Sequence, residues 1–191
     1  GVAVALAAAV VLFTEVRAAP VGAGSLAVPV YSWVTTGSGS GFRVEFLIDP
    51  LTSVMLLVVT GVALLVLIYS RDYMRHHGLP VRGYERFFAF VGLFVFAMCG
   101  LVLGGNFLLL YFGWEAVGLC SYLLIGFYFE RTSASNAANK AFITNRIGDA
   151  GFIIGMLILW TYVGTFNFED LIARIRAPSL DTHHMPLLYA G

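Results

Sequence analysis

Asn106-Phe107-Leu108-Leu109-Leu110-Tyr111-Phe112-Gly113-Trp114-Glu115-Ala116-Val117-Gly118-Leu119-Cys120-Ser121-Tyr122-Leu123-Leu124-Ile125-Gly126-Phe127-Tyr128 is the stretch that decides how the rest of the chain reads. It is long and apolar enough to cross a bilayer, yet it carries one carboxylate, Glu115. At about 1.5 Å of rise per residue, Glu115 lies roughly 14 Å in from Asn106, near the middle of a hydrocarbon slab about 30 Å thick. An ionisable group there costs on the order of 2.5–3.5 kcal/mol, against about 0.3–0.6 kcal/mol gained by each Leu, Ile, Phe or Val. The span still inserts, and acids held inside a membrane mark ion or proton routes. The plainer alternative is a neutral, hydrogen-bonded carboxylic acid that ties two helices together. Tyr111, Gly118, Leu119 and Tyr122 stand at i−4, i+3, i+4 and i+7 from Glu115 and share its face. They offer two hydroxyls and a gap for water or another helix. The span holds no base, so a charged partner has to come from a different helix.

Composition agrees with a membrane protein. The 191 residues are 59% hydrophobic and 12% charged, with a mean hydropathy of +0.86. Soluble domains run near 45–50% apolar and about 25% charged. A formal net charge of zero argues against a nucleic-acid partner. Cys99 and Cys120 both fall in apolar runs and read as free, buried thiols. The chain opens on Gly1 inside an apolar run and closes on a loop at Gly191, which suggests part of a longer polytopic protein. The opening run lacks the basic flank of a signal peptide.

One membrane domain is expected over 1–191, with spans at about 1–14, 51–69, 87–103, 106–128 and 137–163. Outside loops are expected at 15–50 and 164–191. Val28 to Val34 and Phe42 to Phe46 flank Gly37-Ser38-Gly39-Ser40-Gly41, the pattern of an extramembrane β-hairpin. The turn Gly104-Gly105-Asn106 is tight enough to make its two spans an antiparallel pair. Ser135 or Asn136 is a candidate cap for the fifth helix. A short amphipathic piece is expected around Phe168 to Ile175. The 70–86 and 130–140 loops hold Arg71, Arg75, Arg82, Arg86, Arg131 and Lys140, which places them in the cytoplasm by the positive-inside rule. The fold class is therefore an all-α polytopic membrane bundle with a small β-hairpin.

The fifth helix carries a second polar cluster. Lys140 lies near its start and, taken alone, is a snorkelling cation. Arg146 and Asp149 are deeper and three residues apart, hence on one face and able to pair. One reading is a self-neutralising structural ion pair. The other joins them to Glu115 in a lateral polar route, in which moving one charge alters the proton affinity of the next. Gly100-x-x-x-Gly104 and Gly151-x-x-x-Gly155 read as close-packing faces. His76-His77 and His183-His184 read as solvated loop residues rather than metal ligands. No dinucleotide, phosphate-loop, haem or iron–sulfur pattern occurs.

Several runs resemble the subunit L (chain 5) family of NADH-quinone oxidoreductase, respiratory complex I. They are Gly113 to Tyr128, Ile48-Asp49-Pro50-Leu51-Thr52, Tyr84 to Phe90, Lys140 to Asp149, and Gly164-Thr165-Phe166-Asn167-Phe168. The similarity extends from about Phe42 to Leu171. It implies an antiporter-like helix bundle that translocates protons, driven by quinone reduction elsewhere in the complex. Glu115 would be the family's fifth-helix glutamate, paired with a lysine in the seventh helix, and Arg146 and Asp149 the charged pair of the sixth. Glu115, Arg146, Asp149 and Lys140 are thus the residues expected to carry proton translocation and charge coupling. The resemblance further implies no cofactor on this chain, with NADH, FMN, iron–sulfur clusters and quinone held by other subunits. It implies the other membrane-arm subunits, the lipid bilayer and protons as partners, and a bacterial inner membrane as location. Residues 1–191 alone are expected to be inactive. Multisubunit Na⁺/H⁺ antiporters and membrane-bound hydrogenases share the Trp-Glu signature and stand as alternatives, as does a structural module without transport.

Overall fold

A computed structural model describes residues 1–19, 25–35, 41–76 and 79–176. The glycine–serine turn of the hairpin up to Ser40, His77 and the His183-His184 pair lie outside the described residues. The chain opens with α1 (Val2–Ala18), followed by strands β1 (Leu26–Thr35) and β2 (Gly41–Ile48). Next come α2 (Pro50–Tyr73), two-residue strands β3 (Arg75–His76) and β4 (Leu79–Pro80), and α3 (Tyr84–Leu103). Then follow α4 (Phe107–Ile125), α5 (Thr132–Val163) and α6 (Phe168–Arg176), the last being the amphipathic piece legible in the sequence. β1 and β2 pair antiparallel, Leu26 opposite Ile48 and Thr35 opposite Gly41. Helices α1 to α5 each pack on their neighbours in sequence. Four of them, α2 to α5, are long and apolar enough to cross a membrane. This is an all-α, multi-pass membrane bundle with a small β-hairpin.

Local chemistry sets the helix ends. Asp49 caps α2, its Oδ1 accepting the Thr52 N–H at 2.6 Å, and Pro50 occupies the first turn, where no N–H is missed. Asn106 caps α4 in the same way, accepting from the Leu109 N–H at 2.8 Å. Gly164 ends α5 in the left-handed region at φ 72, its N–H returning to the Trp160 carbonyl at 2.8 Å. At its start α5 differs from the expected capping. It begins at Thr132 after Arg131, with no side-chain cap, so neither Ser135 nor Asn136 is used as one. The reason is a turn already wound ahead of them: the Arg131 N–H bonds the Tyr128 carbonyl, and the Ala134 and Ser135 N–H groups bond the Arg131 carbonyl.

The Gly104-Gly105-Asn106 turn anchors one end of the bundle. The Gly105 N–H donates to the Glu45 carbonyl of β2 at 3.1 Å, and the Phe107 N–H donates to the Phe166 carbonyl beyond α5 at 3.0 Å. The hairpin and the end of α5 therefore both seat on the turn that launches α4. Many large apolar side chains point outward, among them Leu65, Phe96 and Ile147, as lipid contact requires. At about 1.5 Å per residue, α5 runs roughly 48 Å, longer than a hydrocarbon slab of about 30 Å, so its polar first turns project beyond it.

Candidate functional site

Glu115 falls at the middle of α4, while Arg146 and Asp149 flank the middle of α5. Antiparallel packing of the two helices brings the three to one depth. Arg146 Nη1 donates to Glu115 Oε2 in a short ion pair, and the same nitrogen stands 3.8 Å from Asp149 Oδ2. The other carboxylate oxygens meet neutral donors of α4. Tyr111 OH donates to Glu115 Oε1 at 2.6 Å, and Trp114 Nε1 donates to Asp149 Oδ1 at 2.9 Å. The guanidinium also lies over the Phe142 ring, 4.6 Å from its centroid. Aromatic pairs bracket the cluster between the helices, Tyr111 with Phe152 on one side and Tyr122 with Phe142 on the other.

Both acids are withdrawn from the surface, with side-chain exposures of 18% for Glu115 and 9% for Asp149, while Arg146 keeps 44%. Among the described residues these are the ionic contacts of the cluster, so one base faces two acids. The cluster lines a cavity of about 910 Å³ between α4 and α5, together with Trp114, Gly118 and Asn145. Glycines line that space. A Cβ at Gly148, Gly151 or Gly155 would meet nothing within 4 Å, and one at Gly118 would come no closer than 4.0 Å to Asn145 Nδ2.

Two expectations change here. Gly151 and Gly155 do not pack a helix against α5 among the described residues; they line the cavity. The close approach falls instead at Gly113, where a Cβ would stand 2.7 Å from the Cα of Leu101. Arg146 and Asp149 share a face as expected, but the nearer partner of Arg146 is Glu115. The i,i+3 spacing leaves the Arg146–Asp149 pair stretched, whereas the α4 acid reaches the guanidinium directly. Lys140 is not brought to this cluster. It is exposed, and its backbone carbonyl accepts from the Thr144 hydroxyl at 2.8 Å. Trp114 enters the sequence reading only through the Trp-Glu signature, without a partner; the available signal was an indole N–H deep in an apolar span, which has to find an acceptor.

Two family descriptions match the chain. Residues 33–88 match the N-terminal part of chain 5 of NADH-ubiquinone oxidoreductase (complex I), and residues 104–188 match the transmembrane region shared by NADH:quinone oxidoreductase and Mrp antiporters. The chloroplastic NAD(P)H-quinone oxidoreductase subunit 5 of Draba nemorosa is 51% identical over 142 residues, covering 74% of this chain and 18% of that protein. NADH-quinone oxidoreductase subunit L of Neisseria meningitidis is 50% identical over 145 residues, 75% of this chain and 21% of that one. The chain thus spans about a fifth of the length of these relatives. A chain of the Mrp complex from Dietzia sp. DQ12-45-1b superposes with a TM-score of 0.71 over 94% of this chain and 18% of that chain, at 22% identity, a likeness of fold. The chain belongs to the family of antiporter-like membrane subunits that includes chain 5 of NADH:quinone oxidoreductase.

Proposed function

We propose that this chain is part of a proton-translocating membrane-arm subunit of an NADH:quinone oxidoreductase, with Glu115 as the group that takes up and releases the proton. The observation that carries the reading is one guanidinium set between two acids midway along two helices long and apolar enough to cross a membrane. In a low-dielectric interior the unmatched negative charge has to be balanced by a proton or a further cation. Arg146 has two stations. On Glu115 it holds that carboxylate ionised; closing the 3.8 Å gap to Asp149 leaves Glu115 without its counter-charge, and a proton replaces it. Release follows when Arg146 returns.

In this reading Lys140 is a charge step toward the basic loops, about 9 Å along α5 from Arg146. The basic loops face the cytoplasm of a bacterial inner membrane. Other subunits of the complex hold NADH, FMN, the iron–sulfur clusters and quinone, and quinone reduction there supplies the drive. Residues 1–191 do not complete a proton path by themselves. The relatives at 50% and 51% identity favour this assignment over a sodium–proton antiporter, which would show sodium exchange without quinone turnover.

The test is Glu115→Gln in the full-length subunit within its complex. Proton translocation coupled to quinone reduction is expected to fall while the complex assembles. Unchanged proton stoichiometry would remove Glu115 from the path. Tolerance of Glu115→Leu without loss of transport would reduce the cluster to a helix tie.

A further inference from the structure

We infer that Trp114 is a positioning residue: its indole N–H holds Asp149 and thereby leaves Arg146 on Glu115. The inference rests on the reading of Glu115 as the proton-carrying acid. The geometry gives each acid the same two kinds of partner. One oxygen goes to a neutral donor of α4, Tyr111 OH for Glu115 and Trp114 Nε1 for Asp149. The other oxygen faces the single guanidinium of Arg146.

Burial alone would send the guanidinium to Asp149, which is the more withdrawn of the two, because a carboxylate loses more by being unpaired where water is scarcer. Arg146 nevertheless sits on Glu115. The 2.9 Å bond from Trp114 ties Asp149 to α4 and occupies one of its oxygens, so that the stretched i,i+3 contact to Arg146 does not close and draw the arginine off Glu115. Indole N–H is a donor only, with no acceptor capacity. Trp114 therefore does not relay a proton; it sets the station of Arg146, and with it the counter-charge of Glu115, the group that does. Because Trp114 directly precedes Glu115, one turn of α4 controls both acids.

The experiment compares three replacements of Trp114 in the intact complex, in its membrane. Benzothienylalanine keeps the shape of the side chain and substitutes sulfur for the N–H; W114F removes the N–H and part of the bulk; a fluorinated tryptophan keeps both shape and N–H. The resting infrared spectrum reads the protonated carboxyl band of Glu115, assigned by its loss when E115Q is added. Without the N–H, Arg146 moves toward Asp149 and Glu115 takes a proton, so the band grows about tenfold, the weight of one hydrogen bond to a charged group. The fluorinated residue leaves it at the native level. A native spectrum for the benzothienylalanine protein overturns the inference, since shape alone would then suffice. If E115Q pumps at the native rate, the reading of Glu115 fails separately, and the infrared comparison still decides whether Trp114 fixes the arginine.

Discussion

The backbones of Gly113 and Leu101 touch: a Cβ on Gly113 would stand 2.7 Å from the Cα of Leu101 and 2.8 Å from its nitrogen. Only glycine allows α3 and α4 to meet this closely, and the contact lies two residues before Glu115. Gly113→Ala has to push the helices apart. It is expected to cost about 1–3 kcal/mol, as overpacking does, read as a lower unfolding midpoint in detergent. Native stability would show that the two helices can part without loss.

Removing Arg146 should be worse for folding than removing either acid. Arg146→Met leaves Glu115 and Asp149 without the base they share, a loss of about 2 kcal/mol, below that of a fully buried pair because the guanidinium is part-exposed. After Glu115→Gln, Arg146 still has Asp149 within reach, so the loss is smaller. Unfolding midpoints of the two variants give the ranking, and the reverse order would contradict the shared-guanidinium geometry.

The N-cap of α4 offers a local test. Asn106→Ala deletes the acceptor of the Leu109 N–H and should destabilise by about 1 kcal/mol. Asn106→Asp, which keeps an acceptor, should restore most of it. Equal losses in the two variants would show that the bond to Leu109 is not what matters at this position.

Gly151→Leu separates packing from transport. A Cβ there would meet nothing within 4 Å, so the unfolding free energy should stay within about 0.5 kcal/mol of the native value. The added side chain fills part of the cavity beside Arg146 and Asp149, and proton translocation by the whole protein should drop. A collapse in stability with no effect on transport would restore the close-packing reading of this glycine.

Much of this arrangement was legible in the sequence, for identifiable reasons. Hydropathy and length picked out the four helices long and apolar enough to cross a membrane, α2 to α5, and Gly104-Gly105-Asn106 announced the sharp return between α3 and α4. A lone acid in oil marked Glu115, and the three-residue spacing put Arg146 and Asp149 on one face. Partner choice was not legible. Whether Arg146 takes Asp149 or Glu115 depends on the offset between two helices, which no local pattern encodes. The same limit explains the glycines: Gly151-x-x-x-Gly155 matches a packing motif, but a motif does not say whether a neighbour occupies it. Gly113 has no such motif and makes the closest contact. Trp114 was hidden because an aromatic residue in a span reads first as lipid contact.

The most direct test of the account follows the charge on Glu115 during turnover. Infrared difference spectra of the whole complex, taken as quinone reduction starts and stops, should show a protonated carboxyl band that appears and vanishes with each cycle and is missing from Glu115→Gln. A band at this acid that stays constant while protons cross the membrane would contradict it.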